Sequence, residues 1–428
     1  MTAIRNELAL FQQEPKERSI QAIKWINFRP TSQVSNTSAI EFNIPGTSSD
    51  YIHLPKSWLK IQCRILRTDG TPVDNTDDVA LVNLSMHSLF RQVDVLLNQK
   101  PINSNVGLNY PYKSMIDTLV NYSHDVKDSQ LQSEGYFKDT AFFMDDTQSN
   151  AGHVQRKNLT KHGIVDFQSV LHVDLAQTNR SLLNGIQVQV KLFQHDDAFR
   201  LLSANGARYG VEIVDAVFKV CHIQLKPSVL VAQDELLQKR DAQYPVWQSN
   251  IKTWSVPQGS FSFSVDDIFH NEVPARLYLA VTSSAGYTGD FSRNPFNFHH
   301  YYLNYVELCV DGVSRPAVAL QPNYQDNPDA VGQTLSTGYV TEFLSLFKTN
   351  YPQAQGNWIQ RADYPGGYAI YVFDLKPGAS TTLFTEPQTG HTRINARFAR
   401  ALPEPVTIIA YGVFPDKFTI DHTRSVII

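Results

Sequence analysis

The residues of this chain that could do chemistry lie in short acidic and histidine-bearing clusters. His299-His300, beside Phe298 and Tyr301, offers two imidazoles to a zinc ion. Neighbours on a strand point to opposite faces, however, so closing both on one ion is awkward. His195-Asp196-Asp197 has the make-up of a cation or acid–base cluster, but it follows a strand end, where a solvated turn is the ordinary setting. A perturbed carboxylate there needs a pocket. Asp77-Asp78, Asp145-Asp146 and Asp266-Asp267 each supply the paired carboxylates that glycoside hydrolysis uses. With loop settings and no accompanying motif, they read as surface carboxylates. Phe291, Phe296, Phe298, Tyr301 and Tyr302 could stack sugars or bases, although packing of a core or interface suits them better. No phosphate-binding loop, dinucleotide glycine pattern, nucleophile elbow or zinc-ligand spacing occurs. The expectation is a protein that is not an enzyme, with no catalytic, cofactor-binding or metal-ligating residues. Replacing Asp196 or Asp197 by Asn is then expected to leave folding and assembly largely intact.

Strands must position these groups. From Asn83 to Tyr122 the chain reads as strand, turn and short helix. Val93, Val95 and Leu97 share one strand face, and Gln92, Asp94 and Leu96 the other. Asn98 to Pro101 supplies the turn, Pro111 suits a first helical turn, and Met115, Ile116, Leu119 and Val120 recur at helical spacing. A weaker copy lies between Leu303 and Tyr351: Val306, Leu308 and Val310 alternate, Asp311-Gly312 signals a hairpin, and Val340, Phe343, Leu344 and Phe347 form a helical stripe. Both helices end in Asn-Tyr, at Asn121-Tyr122 and Asn350-Tyr351. Val173-Asp174-Leu175 pairs with Phe373-Asp374-Leu375, and Asp197-Ala198-Phe199 with Asp416-Lys417-Phe418. Four matches in one order suggest two versions of one module.

Elsewhere Leu59, Ile61, Cys63 and Ile65 alternate with Lys60, Gln62 and Arg64, an antiparallel pattern. Further strands are expected at 20–28, 40–44, 169–175, 186–194 and 211–225. In the second half they fall around Trp247 and Trp254, then at 261–265, 275–282, 367–375 and 406–414. Pro227 opens a helix through Val231, Leu236 and Leu237 to Arg240, apolar enough to dock at the junction of the halves. The organisation read from this is an N-terminal arm at 1–18, a first sandwich at 19–225, a linker helix at 226–242 and a second sandwich at 243–428. The fold class is all-β, with short helices in the connections.

Three polar excursions, Ser123 to His162, Ser283 to Asn297 and Ala317 to Gly332, are long enough to need packing from a neighbouring subunit. The arm carries an Ile4, Leu8 and Phe11 stripe too short to hold a helix alone, so order against neighbours is expected. Ser425 to Ile428 reads as a short apolar tail.

Composition narrows the function. A net charge of −4 argues against a polyphosphate-coating protein, because non-specific nucleic-acid binding rests on Lys and Arg. The cysteines Cys63, Cys221 and Cys309 are odd in number and widely spaced, so reduced thiols are expected. Arg5 and Glu7 interrupt any apolar signal core, so secretion through a signal peptide is not expected, and no apolar run is long enough to span a bilayer.

Phe42-Asn-Ile-Pro-Gly-Thr-Ser-Ser-Asp-Tyr-Ile-His-Leu-Pro, the following Leu59 to Ile65 strand, Phe90 to Pro101, and Tyr110-Pro-Tyr-Lys together resemble the major capsid proteins of Polinton (Maverick) elements and adintoviruses. The resemblance covers most of the chain in length and order, with its specific motifs in the first half. It implies two jelly-roll β-sandwiches in one chain, akin to virophage capsid proteins and adenovirus hexon. It also implies a homotrimer forming pseudo-hexagonal capsomers of an icosahedral virion, penton and minor capsid proteins as partners, and the arm on the inner side of the shell. The competing reading is a double-jelly-roll protein that binds or hydrolyses carbohydrate, which requires a concave groove of aromatics and carboxylates.

Overall fold

Period-two burial builds the sheets of this chain. In the strand Asp50–Arg67, Leu59, Ile61, Cys63 and Ile65 are at most 1% exposed, while Lys60, Gln62 and Arg64 between them remain half-buried. The computed structural model describes residues 17–34, 38–102, 106–161, 163–324, 338–347, 356–376 and 384–427. The Ile4, Leu8 and Phe11 stripe and the Asn350-Tyr351 match lie outside them, as does Ala317 to Gly332 beyond Tyr324.

The first half contributes β1 (Ile20–Phe28), β2 (Ile40–Ile44), β3 (Asp50–Arg67), β4 (Phe90–Leu97), β5 (Lys100–Pro101), β6 (Val165–Ser169), β7 (Val188–Gln194) and β8 (Tyr209–Leu225). They form two antiparallel sheets, β1-β8-β3-β6 and β2-β7-β4-β5. The second half contributes β9 (Ala242–Val256), β10 (Ser262–Asp266), β11 (Arg276–Ser283), β12 (Leu303–Val310), β13 (Val313–Ser314), β14 (Ile370–Asp374), β15 (Thr392–Phe398) and β16 (Val406–Ile420). Its sheets are β9-β16-β11-β14 and β10-β15-β12-β13. Counted within each set of eight, both rolls run first-eighth-third-sixth over second-seventh-fourth-fifth. This is a double jelly roll. Asp311 and Gly312, at φ 51° and 79°, close the β12–β13 hairpin with both central residues left-handed, as a two-residue turn of matching twist demands.

The helices are short: α1 (Ser85–Ser88), α2 (Tyr110–Asn121), α3 (Ala151–Thr160), α4 (Pro227–Leu237) and α5 (Val340–Ser345). None among the described residues is long and apolar enough to cross a membrane.

Sheet β9-β16-β11-β14 is buried on both faces. Leu277, Leu279 and Val281 of β11, with Tyr371, Phe373, Ile408 and Ala410, face the second roll's own core. The alternate residues Tyr278, Ala280, Ile370, Val372, Ile409 and Tyr411 belong to the core of the first roll. The core of the first roll therefore extends onto a sheet of the second, and the two rolls are joined by apolar packing.

Several sequence expectations need correction. The strand expected at 169–175 is β6, at Val165–Ser169, and Asp174 instead opens a single turn of 3-10 helix. Asp197-Ala198-Phe199 lies in another helical turn, whereas Asp416-Lys417-Phe418 lies inside β16, so those two matches pair different elements. The strand and helix of the first match do correspond, as β4 and α2 against β12 and α5. In α5, Val340 and Leu344 are 37% and 50% exposed, the buried residues of the helix are Glu342 and Ser345, and Tyr339 and Leu346 are buried at its two ends. Helix α4 docks through Leu237 and a Tyr51 Oη to Gln233 Oε1 bond of 2.7 Å, and it turns Val231 and Leu236 outward. The apolar tail is a strand, β17 (Val426–Ile427), paired with β16.

Because the rolls are joined by apolar packing, the protein is expected to unfold in one transition. Leu279→Ala, which opens a cavity on the second roll's side of β11, is expected to cost about 3 kcal/mol and to shift that single transition in chemical denaturation. Two separated transitions would contradict this coupling.

Candidate functional site at the seam between the rolls

Helix α2 lies in the seam. Its apolar face places Met115, Ile116, Leu119 and Val120 inside as the pattern predicts, but Tyr110 to Val120 is buried without interruption, including the charged Lys113 and Asp117. Burying a lone charge is prohibitive, so each must be compensated. Lys113 Nζ lies 2.9 Å from Asp117 Oδ2 one turn along and 3.4 Å from Asp174 Oδ1. The carboxylates are then saturated from the second roll. Asp117 Oδ1 accepts from Tyr411 Oη of β16 at 3.0 Å, and Asp174 accepts from Ser249 N at 2.8 Å and Ser249 Oγ at 2.7 Å on β9. Burial opposes the Lys113 charge, yet Asp117 and Asp174 lift its pKa above the ordinary lysine range. Burial pushes Asp174 upward. Burial, then the Asp117 charge, pushes Tyr411 well above the usual tyrosine value.

A cleft of about 570 Å³ opens at this seam, with Tyr110, Lys113 and His172 on one wall and Asn250, Lys252 and Glu272 on the other. Behind it, His87 of α1, Glu134 and His172 converge, all buried. His87 Nε2 and His172 Nε2 lie 3.4 and 3.9 Å from Glu134 Oε2. Burial, then the neighbouring His172, pushes His87 down to about 4.

The residues picked from sequence are dispersed, and most are explained by packing. His299 and His300 do not point to opposite faces: the short strand Phe298–His299 ends before His300, and the two rings stack at 4.4 Å. His300 is fully buried against Tyr324, with centroids 4.1 Å apart. His195 stacks on Phe199 at 3.7 Å, and burial drives its pKa to about 3. Asp197 keeps a side chain 40% exposed in its turn, but it also pairs with buried Arg200 and accepts from Val211 N at 3.0 Å, so Asp196 is the carboxylate that best fits the expectation of free replacement.

Asp77 and Asp78 are half-buried partners of Arg67 and Lys157, and Asp266 bonds Arg393 at the surface. Asp145 is raised by burial and accepts from Asn294 N at 2.7 Å and Asn297 Nδ2 at 3.1 Å. It borders a second cleft of about 430 Å³ where Arg293 and Glu404 pair and the Arg400 guanidinium covers Tyr302 at 4.0 Å. Of the aromatic cluster, Phe296 and Phe298 are interior, so the five do not form an exposed platform for sugars.

The excursion Ser123 to His162 is ordered by its own chain over the described residues. Arg156 is 1% exposed and bonds Leu81 O, Phe137 O and Asp139 Oδ1 at 2.8 to 3.0 Å. Lys127 Nζ bonds Leu119 O and Asn357 O at 2.8 and 2.6 Å, and Lys138 Nζ bonds Trp358 O and Asp363, fastening the excursion to the second roll. Ser283 to Asn297 is likewise tied in through Asn294, 1% exposed. Lys113 and Asp117, four residues apart within an apolar helix, were a sequence signal for the seam network. His87, Glu134 and His172 carry no spacing that reveals them.

No protein-family model matches the chain. An uncharacterized protein of Caenorhabditis elegans, F54H12.2, is 22% identical over 426 residues, covering 96% of this chain and 97% of that protein. Among solved structures, the cryo-EM structure of the Sputnik virophage superposes with a TM-score of 0.61 at 11% identity, covering 100% of this chain and 92% of that one. The faustovirus major capsid protein gives 0.56 at 10% identity over 97% and 93%. The mavirus major capsid protein gives 0.50 at 11% identity over 100% and 95%. The likeness is one of fold, and it spans both rolls.

Asp117→Asn keeps the shape of the seam network but removes the charge nearest Lys113. It is expected to cost about 3 kcal/mol, as breaking a buried pair does, measured by denaturant melts. A pH series tests the same interior. Burial raises Tyr51 and Tyr122 to about 12 and Tyr411 further, so their contribution to stability is fully present below the unfolded tyrosine pKa and lost as pH rises through the folded values. Ultraviolet titration is expected to show these rings un-ionised at pH 10.5, with ionisation and unfolding arriving together at higher pH.

Proposed function

We propose that this protein is a structural major capsid protein, three copies of which form a pseudo-hexagonal capsomer of an icosahedral shell. The observation that carries the reading is the repeat of one eight-strand order in two rolls locked side by side, in a fold shared over nearly the whole chain with the Sputnik virophage structure and the faustovirus and mavirus major capsid proteins. Two similar rolls around a threefold axis present six similar faces, which tile a hexagonal lattice by repeating one contact. The motifs between Phe42 and Lys113 support the narrower assignment to Polinton elements and adintoviruses.

We divide the chain into an arm at 1–18, rolls at 19–225 and 243–428, and a linking helix at 226–242, and the two strand sets support the two rolls of this division. The arm faces the shell interior and meets minor capsid or penton proteins. The virion is the site of action, after synthesis within the host cell without secretion, and no sequence-specific nucleic-acid contact is invoked. The protein performs no catalysis, in keeping with carboxylates and imidazoles engaged in internal pairs and stacks. Apolar side chains left outside support contacts between copies, notably Ile23 and Trp25 on edge strand β1, 43% and 42% exposed, and Phe261 and Val313, 60% and 61% exposed.

The purified chain of 48.4 kDa is expected to run at about three times that mass in light scattering and to show threefold particles with a near-hexagonal base by electron microscopy. A stable monomer at micromolar concentration, or hydrolysis of a glycan, would overturn the reading.

A further inference from the structure

We infer that His87, Glu134 and His172 form a binding site for one divalent transition-metal ion of the zinc type, which staples three separate segments of the first roll behind the seam. The segments are α1, the 3-10 turn Gln130–Glu134, and the stretch that follows β6. None is held to the others by sheet hydrogen bonds. Their side chains nonetheless bring two imidazoles and a carboxylate together, with ligand atoms all within 4.8 Å of one another. Zinc–nitrogen and zinc–oxygen bonds of about 2.0–2.2 Å at tetrahedral angles place neighbouring ligand atoms roughly 3.3 Å apart. The observed His–Glu separations of 3.4 and 3.9 Å are close to that spacing, and the 4.8 Å bound on the whole set leaves the two imidazoles to close further on the ion.

Two further observations point to a ligand rather than to packing. First, His87 and His172 are 1% and 4% exposed and Glu134 is 8% exposed, yet His87 Nε2 and Glu134 Oε2 make no well-formed hydrogen bond and meet only in a loose ion-pair contact of 3.4 Å. Groups so buried are ordinarily satisfied, and these two face each other across the gap a cation would fill. Second, the opposite atoms of the same side chains are held. His87 Nδ1 is 2.8 Å from Tyr110 Oη, which leaves Nε2 as the nitrogen turned toward Glu134, and Ser169 Oγ bonds Glu134 Oε1, leaving Oε2 turned toward the two imidazoles. Tyr110 Oη is itself fixed by the His172 backbone N–H at 3.1 Å. Outer partners that orient an imidazole and a carboxylate in this way are what metal ligands require.

The nearby Lys113 charge opposes a cation, but Asp117 and Asp174 beside it leave that trio with a net negative charge when ionised. His172 lines the 570 Å³ cleft, giving the ion an entry path and solvent for a fourth position. Nitrogen and oxygen donors in this mixture suit zinc, cobalt or nickel better than calcium or magnesium.

The test uses the full chain stripped with chelator and titrated with Co²⁺, then with Zn²⁺. Expected are visible d–d bands saturating at one equivalent, displacement by Zn²⁺, and X-ray absorption showing two imidazoles at about 2.0 Å. Zinc at a hundred times its dissociation constant is expected to raise the melting temperature by about 3 °C. Glu134→Gln keeps the Ser169 bond and should weaken Co²⁺ binding at least tenfold, as should His172→Asn. If either variant misfolds, the absorption spectrum of the unmodified protein decides. Lack of bands, a spectrum without imidazole ligands, or binding unchanged in a folded Glu134→Gln protein would overturn the proposal.

Discussion

An ammonium group buried between two sandwiches sets the terms for the rest of this structure. Lys113 is 1% exposed, and its position is tenable only if Asp117 and Asp174 stand beside it. Those carboxylates are in turn tenable only because Ser249 and Tyr411 of the second roll bond them. The second roll therefore completes the electrostatics of the first. The geometry that satisfies all five groups admits very little rotation of one roll against the other, so a polar cluster gives the seam its specificity while the apolar residues around it supply most of the favourable free energy.

This arrangement explains where the sequence could be read and where it could not. Strands with one wet face, such as Asp50–Arg67 and Leu303–Val310, alternate openly, and their hydrophobic period locates them. Arg276–Ser283 and Val406–Phe414 are apolar without alternation because successive residues face two different cores, so periodicity marks them as strands without revealing the second surface they cover. The module copy was legible through β4 with α2 and β12 with α5, where strand, turn and helix signals coincide. It misled at Asp174 and Asp197, where three-residue resemblances fell on unlike elements.

The polar excursions show the same limit from the other side. Composition gives Ser123 to His162 no core of its own, and a neighbouring subunit was the natural source of order. In the structure, Arg156, Lys127 and Lys138 thread into backbone carbonyls and carboxylates of the same chain, contacts 17 to 230 residues apart that no local pattern encodes. His87, Glu134 and His172 belong to the same class: three unremarkable positions made neighbours by topology alone.

The terminal strand Val426–Ile427 does more than extend a sheet. Lys100 Nζ bonds Val426 O and Asn98 Nδ2 bonds Arg424 O, each across 326 residues, so the β4–β5 hairpin of the first roll is clasped by the far end of the second. On a ribosome, the first roll can gather its sheets long before that clasp has been synthesised. It is left with one unlatched corner until residue 426 emerges. A chain lacking Val426–Ile427 would keep nearly every other strand while losing this clasp.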